Sequence, residues 1–226
     1  GAAPINWAVI NGEKTTGVTT FMIDDGMDTG GIMYRYDCRI EPDETVGEVH
    51  DKLMDLGSKL VVNTVEAIIE NNVELRVQRS FIQGSEILRP APKITRELCH
   101  VDWNGKVKDI YNLIRGLSPY PAAFTELTKD DKVLQMKIYK TVKVTGDEYA
   151  EMLSAAGLGH AEPGTVLSDG RTYLAIAAAD GALSITELQL AGKKKMAVKD
   201  FLIGFREPQS YGTTKGTSSQ ITGKHA

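Results

Sequence analysis

Val46, Val49, Leu53, Leu56, Leu60, Thr64 and Ile68 recur at spacings of three and four residues. That spacing is a single stripe along an α-helix, and a stripe of this length has to lie against another layer. Thr45, three positions before Glu48, predicts a capping box at the start, and Asn71-Asn72 predicts the end. Asp51, Lys52, Asp55, Lys59 and Glu66 fall on the solvated faces, and His50, beside Val49, is expected at the surface.

The upstream chain supplies that layer. Ile32, Tyr34, Tyr36, Cys38 and Ile40 alternate with Met33, Arg35, Asp37 and Arg39. A period of two places the apolar set on one face of a strand and the charges on the other. Residues 15–23, rich in β-branched side chains, predict a partner strand. The connection Asp24-Asp25-Gly26-Met27-Asp28-Thr29-Gly30-Gly31 is longer than a hairpin needs, which points to a functional loop. Before the strands, Pro4 suits the first turn of a short helix that Asn11-Gly12 stops.

Beyond the long helix the pattern breaks up. Pro90-Ala91-Pro92 is stiff and extended, and it sets the expected division: 1–82, a linker 83–100, a second unit 101–208, and a flexible tail 209–226. Val107, Ile110, Tyr111 and Ile114 predict a helix, and Ser118-Pro119-Tyr120-Pro121 a corner. Short β-rich runs then recur near 122–128, 133–144, 164–168, 172–179 and 182–190, with a helical piece near 147–156 and a last helix near 197–205. Five strands with one interposed helix predict a small barrel of the OB type.

No apolar run approaches the roughly 20 residues of a bilayer span. The first residues lack the charged start and apolar core of a signal peptide. Two cysteines, Cys38 and Cys99, are too few for a disulfide framework, and the expected location is the cytoplasm. The four histidines have no metal-ligand spacing with them. The net charge of −4 is unevenly spread: residues 1–100 hold 10 cations against 16 anions, and residues 101–226 hold 16 against 14. Within the second half, Lys193-Lys194-Lys195 is either a solvated surface run or a track for a phosphate backbone.

Gly1-Ala2-Ala3-Pro4, Thr16-Gly17-Val18-Thr19 and Asp25-Gly26-Met27-Asp28-Thr29-Gly30 together resemble the folate-dependent formyltransferases. Downstream, Lys93-Ile94-Thr95, Val101-Asp102-Trp103, the stretch from Arg115 to Pro121, and Ala191-Gly192-Lys193-Lys194-Lys195-Met196 look like the branch that acts on methionyl-tRNA. The resemblance runs in order through about residue 208. It implies an α/β fold: the C-terminal part of a Rossmann-like catalytic domain followed by an OB-like β-barrel that faces tRNA. It also implies an Asn-x-His motif, a Ser-Leu-Leu-Pro stretch and an arginine ahead of Gly1. Residues 1–226 are therefore expected to be the last two-thirds of a longer enzyme, inactive alone.

The implied reaction moves a formyl group from 10-formyltetrahydrofolate to the α-amine of methionyl-initiator tRNA, without a metal. Acyl transfer of this kind needs a neutral amine, donors aimed at the oxyanion, and a route for the amine proton. By resemblance Asp28 is the carboxylate that orients the upstream histidine and helps relay that proton; on local pattern alone a turn cap is the commoner role for such an aspartate. Asp24, Asp25, Gly26 and Met27 would offer backbone groups to the pterin. Lys193, Lys194 and Lys195 would meet the acceptor arm, with Lys93, Arg96 and Arg115 as further candidates. Two other readings stay open: an RNA-binding barrel without catalysis, and a sugar-amine formyltransferase.

Overall fold

The computed structural model describes residues 2–26, 29–81 and 89–214. The N-terminal unit packs α1 (Pro4–Ile10) and α2 (Val46–Ile69) on an antiparallel pair, β1 (Thr15–Phe21) and β2 (Ile32–Arg39). The pairing sets Thr16, Val18 and Thr20 opposite Cys38, Tyr36 and Tyr34. Thr20 and Thr64 share a hydrogen bond of 3.0 Å between sheet and helix. β1 stops at Phe21, short of the expected residue 23, because the register shifts at Thr20/Phe21. Val9, Cys38, Ile40, Val46, Val49 and Leu53 form the core of this unit.

α2 begins as its sequence requires. Thr45 Oγ1 accepts from Glu48 N, while Glu48 Oε2 accepts from the Thr45 backbone N–H and hydroxyl, both at 2.7 Å. These bonds favour the Glu48 carboxylate and hold its pKa below the ordinary 4.5 despite partial burial.

The second unit is a nearly closed antiparallel barrel. β3 (Ala123–Lys129), β4 (Lys132–Val144), β5 (Val166–Ser168), β6 (Leu174–Ala178), β7 (Gly181–Leu190) and β9 (Gly212–Thr213) lie in the order β5-β6-β7-β4-β3-β9, and β8 (Met196–Ala197) pairs with β7. A bridge between Thr165 and Gly212 brings the two ends of the order together. α5 (Gly146–Ala155) stands between β4 and β5, and α6 (Val198–Gly204) follows β8. Trp103 lies inside, its indole N–H donating to Thr125 Oγ1 at 3.0 Å. α4 (Val107–Leu117) packs Ile110, Leu113, Ile114 and Leu117 into the same core.

Two boundaries differ from expectation. The barrel continues past residue 208: Thr213 Oγ1 donates to Gly164 O and Thr214 N to Glu126 O, so 209–214 belong to its closure rather than to a tail. Residues 215–226 lie outside those described, as do 82–88 of the expected linker. The rest of that linker is pinned. Ala91 O accepts from Ala2 N at 2.8 Å, Pro92 O accepts from the Trp7 indole, and α3 (Arg96–Cys99) leads to a bridge between His100 and Phe124. Among the described residues, no helix is long and apolar enough to cross a membrane.

Removing the Thr45 hydroxyl tests the cap. Thr45→Ala should lower stability by about 1 kcal/mol in urea unfolding, with Thr45→Ser close to wild type. Glu48's contribution is complete above its unfolded pKa and is lost as pH falls through its lowered folded value, so the Thr45→Ala cost should shrink in that acid range.

Candidate functional site

The loop between β1 and β2 folds on Asp24. Its Oδ1 accepts from Gly26 N at 3.1 Å and from the Thr29 hydroxyl at 2.6 Å, a local turn of the kind aspartate favours. Gly30 is required at the exit: a Cβ there would stand 1.5 Å from Met22 O. Its carbonyl accepts from Gln78 Nε2 at 3.0 Å, and Ile32 pairs with Arg76 through both backbone bonds. Asp24, Asp25 and Gly26 are exposed. Met27 and Asp28, the expected pterin contact and the expected catalytic carboxylate, lie outside the described residues. The described histidines sit elsewhere: His50 beside Asp51, His160 beside Glu162, and His100 stacked on Phe124.

Of the six expected phosphate contacts, Arg115 has a different role. It is only 6% exposed, and burial pulls its pKa down from the ordinary value. Nε donates to Asn112 Oδ1 at 2.9 Å, Nη1 to Glu44 O at 3.0 Å and Nη2 to Val9 O at 3.4 Å. The guanidinium therefore joins α4, α1 and the turn before α2. A cation enclosed this way offers nothing to a phosphate.

The residues around it form the seam between the two units. Asn6 Nδ2 donates to Gly116 O at 2.8 Å, and Gly47 N to Ser118 O at 3.1 Å. Gly116 is glycine because a Cβ would lie 2.5 Å from Ile10 Cγ1. Tyr111 donates to Asp43 Oδ1 at 2.7 Å; burial, then that bond, hold its phenol far above the ordinary value. Lys143 Nζ lies 4.4 Å from the centre of the Tyr111 ring. A cavity of about 550 Å³ opens beside these groups, also lined by Lys140 and Thr141. The stretch from Arg115 to Pro121, which carried part of the family resemblance, is thus the joint of the molecule.

The other five cations are exposed, Lys93 and Arg96 on one side and Lys193, Lys194 and Lys195 in the turn between β7 and β8. The outer face of β4 connects them. Gln135, Lys137 and Tyr139 are two apart, and Lys137 is the register partner of Gln189. Gln189 accepts from the Tyr139 hydroxyl at 2.7 Å and donates to Lys193 O at 2.7 Å. Lys195 Nζ lies 5.3 Å from the centre of the Tyr139 ring and pairs with Glu187 at 2.9 Å. Ala191 N, at the start of the lysine turn, donates to Gln135 O at 3.0 Å. Sequence reading missed Gln135, Lys137 and Tyr139. Their alternation marks a strand face, but only the β4–β7 register shows that the face adjoins the lysines.

The family model for "Formyl transferase" matches residues 1–65, and that for "Formyl transferase, C-terminal domain" matches residues 93–206. The curated relative named methionyl-tRNA formyltransferase from Phocaeicola vulgatus is 48% identical over 207 residues, covering 91% of this chain and 60% of its own. Its namesake from Parabacteroides distasonis is 44% identical over 212 residues, covering 93% and 62%. The chain thus spans about three-fifths of the length of these relatives. Among solved structures, HypX from Aquifex aeolicus shares the fold at 18% identity, with a TM-score of 0.61 over 91% of this chain and 34% of that one. A HypX structure in complex with tetrahydrofolic acid gives a TM-score of 0.58 at 18% identity, over 88% and 32%.

Arg115→Met takes the guanidinium donors from Glu44 O and the Asn112 amide oxygen inside the seam, while Val9 O keeps only its bond from Gly12 N. The substitution should cost about 3 kcal/mol in urea unfolding, and Arg115→Lys should recover only part, because one ammonium cannot span the three acceptors.

Proposed function

The chain belongs to the formyl transferase family, and we propose that it forms part of an enzyme that formylates methionyl-initiator tRNA from 10-formyltetrahydrofolate. The observation that carries this reading is the match of the two family models, in order, together with relatives of 44–48% identity that bear the methionyl-tRNA formyltransferase name. In this reading residues 1–82 belong to the catalytic unit and the barrel from residue 101 to the tRNA-facing one.

In the reaction the α-amine of the methionyl group attacks the formyl carbon. A tetrahedral oxyanion forms, the amine gives up a proton, and the carbon's bond to the folate nitrogen breaks as that nitrogen takes up a proton in turn. Asp28 is assigned to orient a histidine and help pass that proton through water. The histidine and its companion asparagine, as oxyanion donors, are assigned to residues ahead of Gly1. Groups of the two kinds contribute roughly 10²–10³ for an oxyanion donor and 10²–10⁴ for an acid–base group. The backbone from Asp24 to Met27 is assigned to the pterin edge. Exposure of Asp24, Asp25 and Gly26, and the close packing that fixes Gly30, support a loop open to a flat ligand.

The tRNA assignment rests on Lys193, Lys194 and Lys195. Their exposure on a turn, beside the uncovered polar face of β4, supports contact with a phosphate backbone rather than a merely solvated run. Lys93 and Arg96 extend it from the other side. This pattern favours RNA over a sugar-nucleotide acceptor, which needs no such extended cationic surface.

Two measurements test the reading. The 226-residue chain should bind tRNA in a salt-dependent way but show no formyl transfer with formyl-folate and methionyl-tRNA; turnover by this chain would overturn the division of catalytic groups. Replacing Lys193, Lys194 and Lys195 together by alanine should reduce the slope of log affinity against log salt by about 0.7–0.9 for each phosphate contact removed. An unchanged slope refutes the lysine assignment.

A further inference from the structure

A second cavity, about 300 Å³, opens on the barrel between α3, the start of β3 and the outer face of β4. Its apolar part is Ile94, Cys99 and Phe124; its polar part is Arg96, Gln135 and Lys137. Cys99 is buried, burial pushes its thiol pKa up, and its Sγ–H donates to Thr95 O, so it serves as wall rather than nucleophile. The Arg96 guanidinium lies 5.6 Å from the centre of the Phe124 ring and, among the described residues, has no carboxylate partner. Lys137 Nζ donates to Pro121 O at 3.2 Å and has no ion pair among them either. The Gln135 side chain makes no hydrogen bond to a described residue, so its amide N–H and carbonyl are both free to read an edge. The larger cavity in the seam differs in kind: Arg115 there is enclosed by carbonyls and Lys143 covers Tyr111.

Flat apolar surface, a planar guanidinium, a free amide and a second cation are the components of a single-nucleotide site. The volume is at the low end for ligand pockets, enough for one base with its phosphate. Its position carries the argument further. Gln135 O is held by Ala191 N at the root of the lysine turn, and Lys137 faces Gln189, which holds Lys193 O. We propose that this cavity binds one unpaired nucleotide of the RNA whose duplex phosphates lie on Lys193, Lys194 and Lys195. The base lies against Phe124 and the Arg96 plane with its edge on Gln135, and its phosphate is on Lys137. The assignment rests on the RNA-binding reading above and adds a site to it.

The test compares two RNA hairpins with one stem sequence, one blunt and one with a four-nucleotide single-stranded 3′ tail, by fluorescence anisotropy with the 226-residue chain at fixed salt. The tailed hairpin should bind about 10-fold more tightly, within the range of one stacked base. Gln135→Leu, which changes no charge, should abolish most of that preference while leaving affinity for the blunt hairpin as it was, which also reports intact folding. Arg96→Ala should weaken the tailed hairpin more than the blunt one. Equal affinity of wild type for both hairpins overturns the nucleotide site and leaves the RNA reading standing. Failure of wild type to bind either in a salt-dependent way removes both.

Discussion

The buried guanidinium of Arg115 is the interaction on which the arrangement of this molecule depends. A guanidinium carries five N–H donors and is never deprotonated in a protein, so enclosing it is tolerable only when those donors are met. Here each of the three nitrogens has one acceptor: Asn112 on the same helix α4, Glu44 O ahead of α2 and Val9 O on α1. Separating α1 or the turn before α2 from α4 would break the bonds to Val9 O and Glu44 O and leave the guanidinium with Asn112 alone. The pairing therefore acts as a requirement on geometry as much as a contribution to stability.

The rest of the seam follows from that requirement. α1 and α4 approach so closely that Gly116 has no room for a side chain, and Gly47 sits as tightly against Pro119. Asp43 takes the Tyr111 hydroxyl, and Lys52 secures the same turn by pairing with Glu44 at 2.8 Å and donating to Arg39 O at 2.6 Å. With the turn before α2 fixed, the loop that holds Asp24 and the cationic face of β4 belong to one connected framework. Under the proposed function that connection matters, since displacement of a reacting group by about 1 Å can cost 100-fold in rate.

What was legible in the sequence was local. The capping box of Thr45 and Glu48, most of the stripe on α2 and the inward face of α4 depend on neighbours within a few residues, and the structure has them, although Ile68 at the end of the stripe and Tyr36 on the apolar set of β2 are exposed. Arg115 was misread because a cation near a Pro-rich corner looks solvated; nothing within its own turn announces that Val9 and Glu44 lie across from it. The last strand, Gly212–Thr213, was hidden for the same reason, being too short for a pattern and defined only by its pairing with β3. Gln135 and Lys137 carried a visible period of two but no chemical signal until the register set them beside the lysine turn.

α2 shows the same limit from the other side. Its buried stripe accounts for one face, yet Met54, Val61, Val62, Val65 and Ile69 are also large and apolar, and Ile69 is 73% exposed. A helix apolar on two faces is built to lie between two layers. The sheet it covers has only β1 and β2 among the described residues, and a pair of strands is marginal without a partner layer. The helix and the pair thus stabilise each other along one face, while the second face has the composition of a packing surface. Those five side chains are therefore the positions where polar substitution should least disturb residues 2–81 of this chain, and where it should most disturb any layer that packs there.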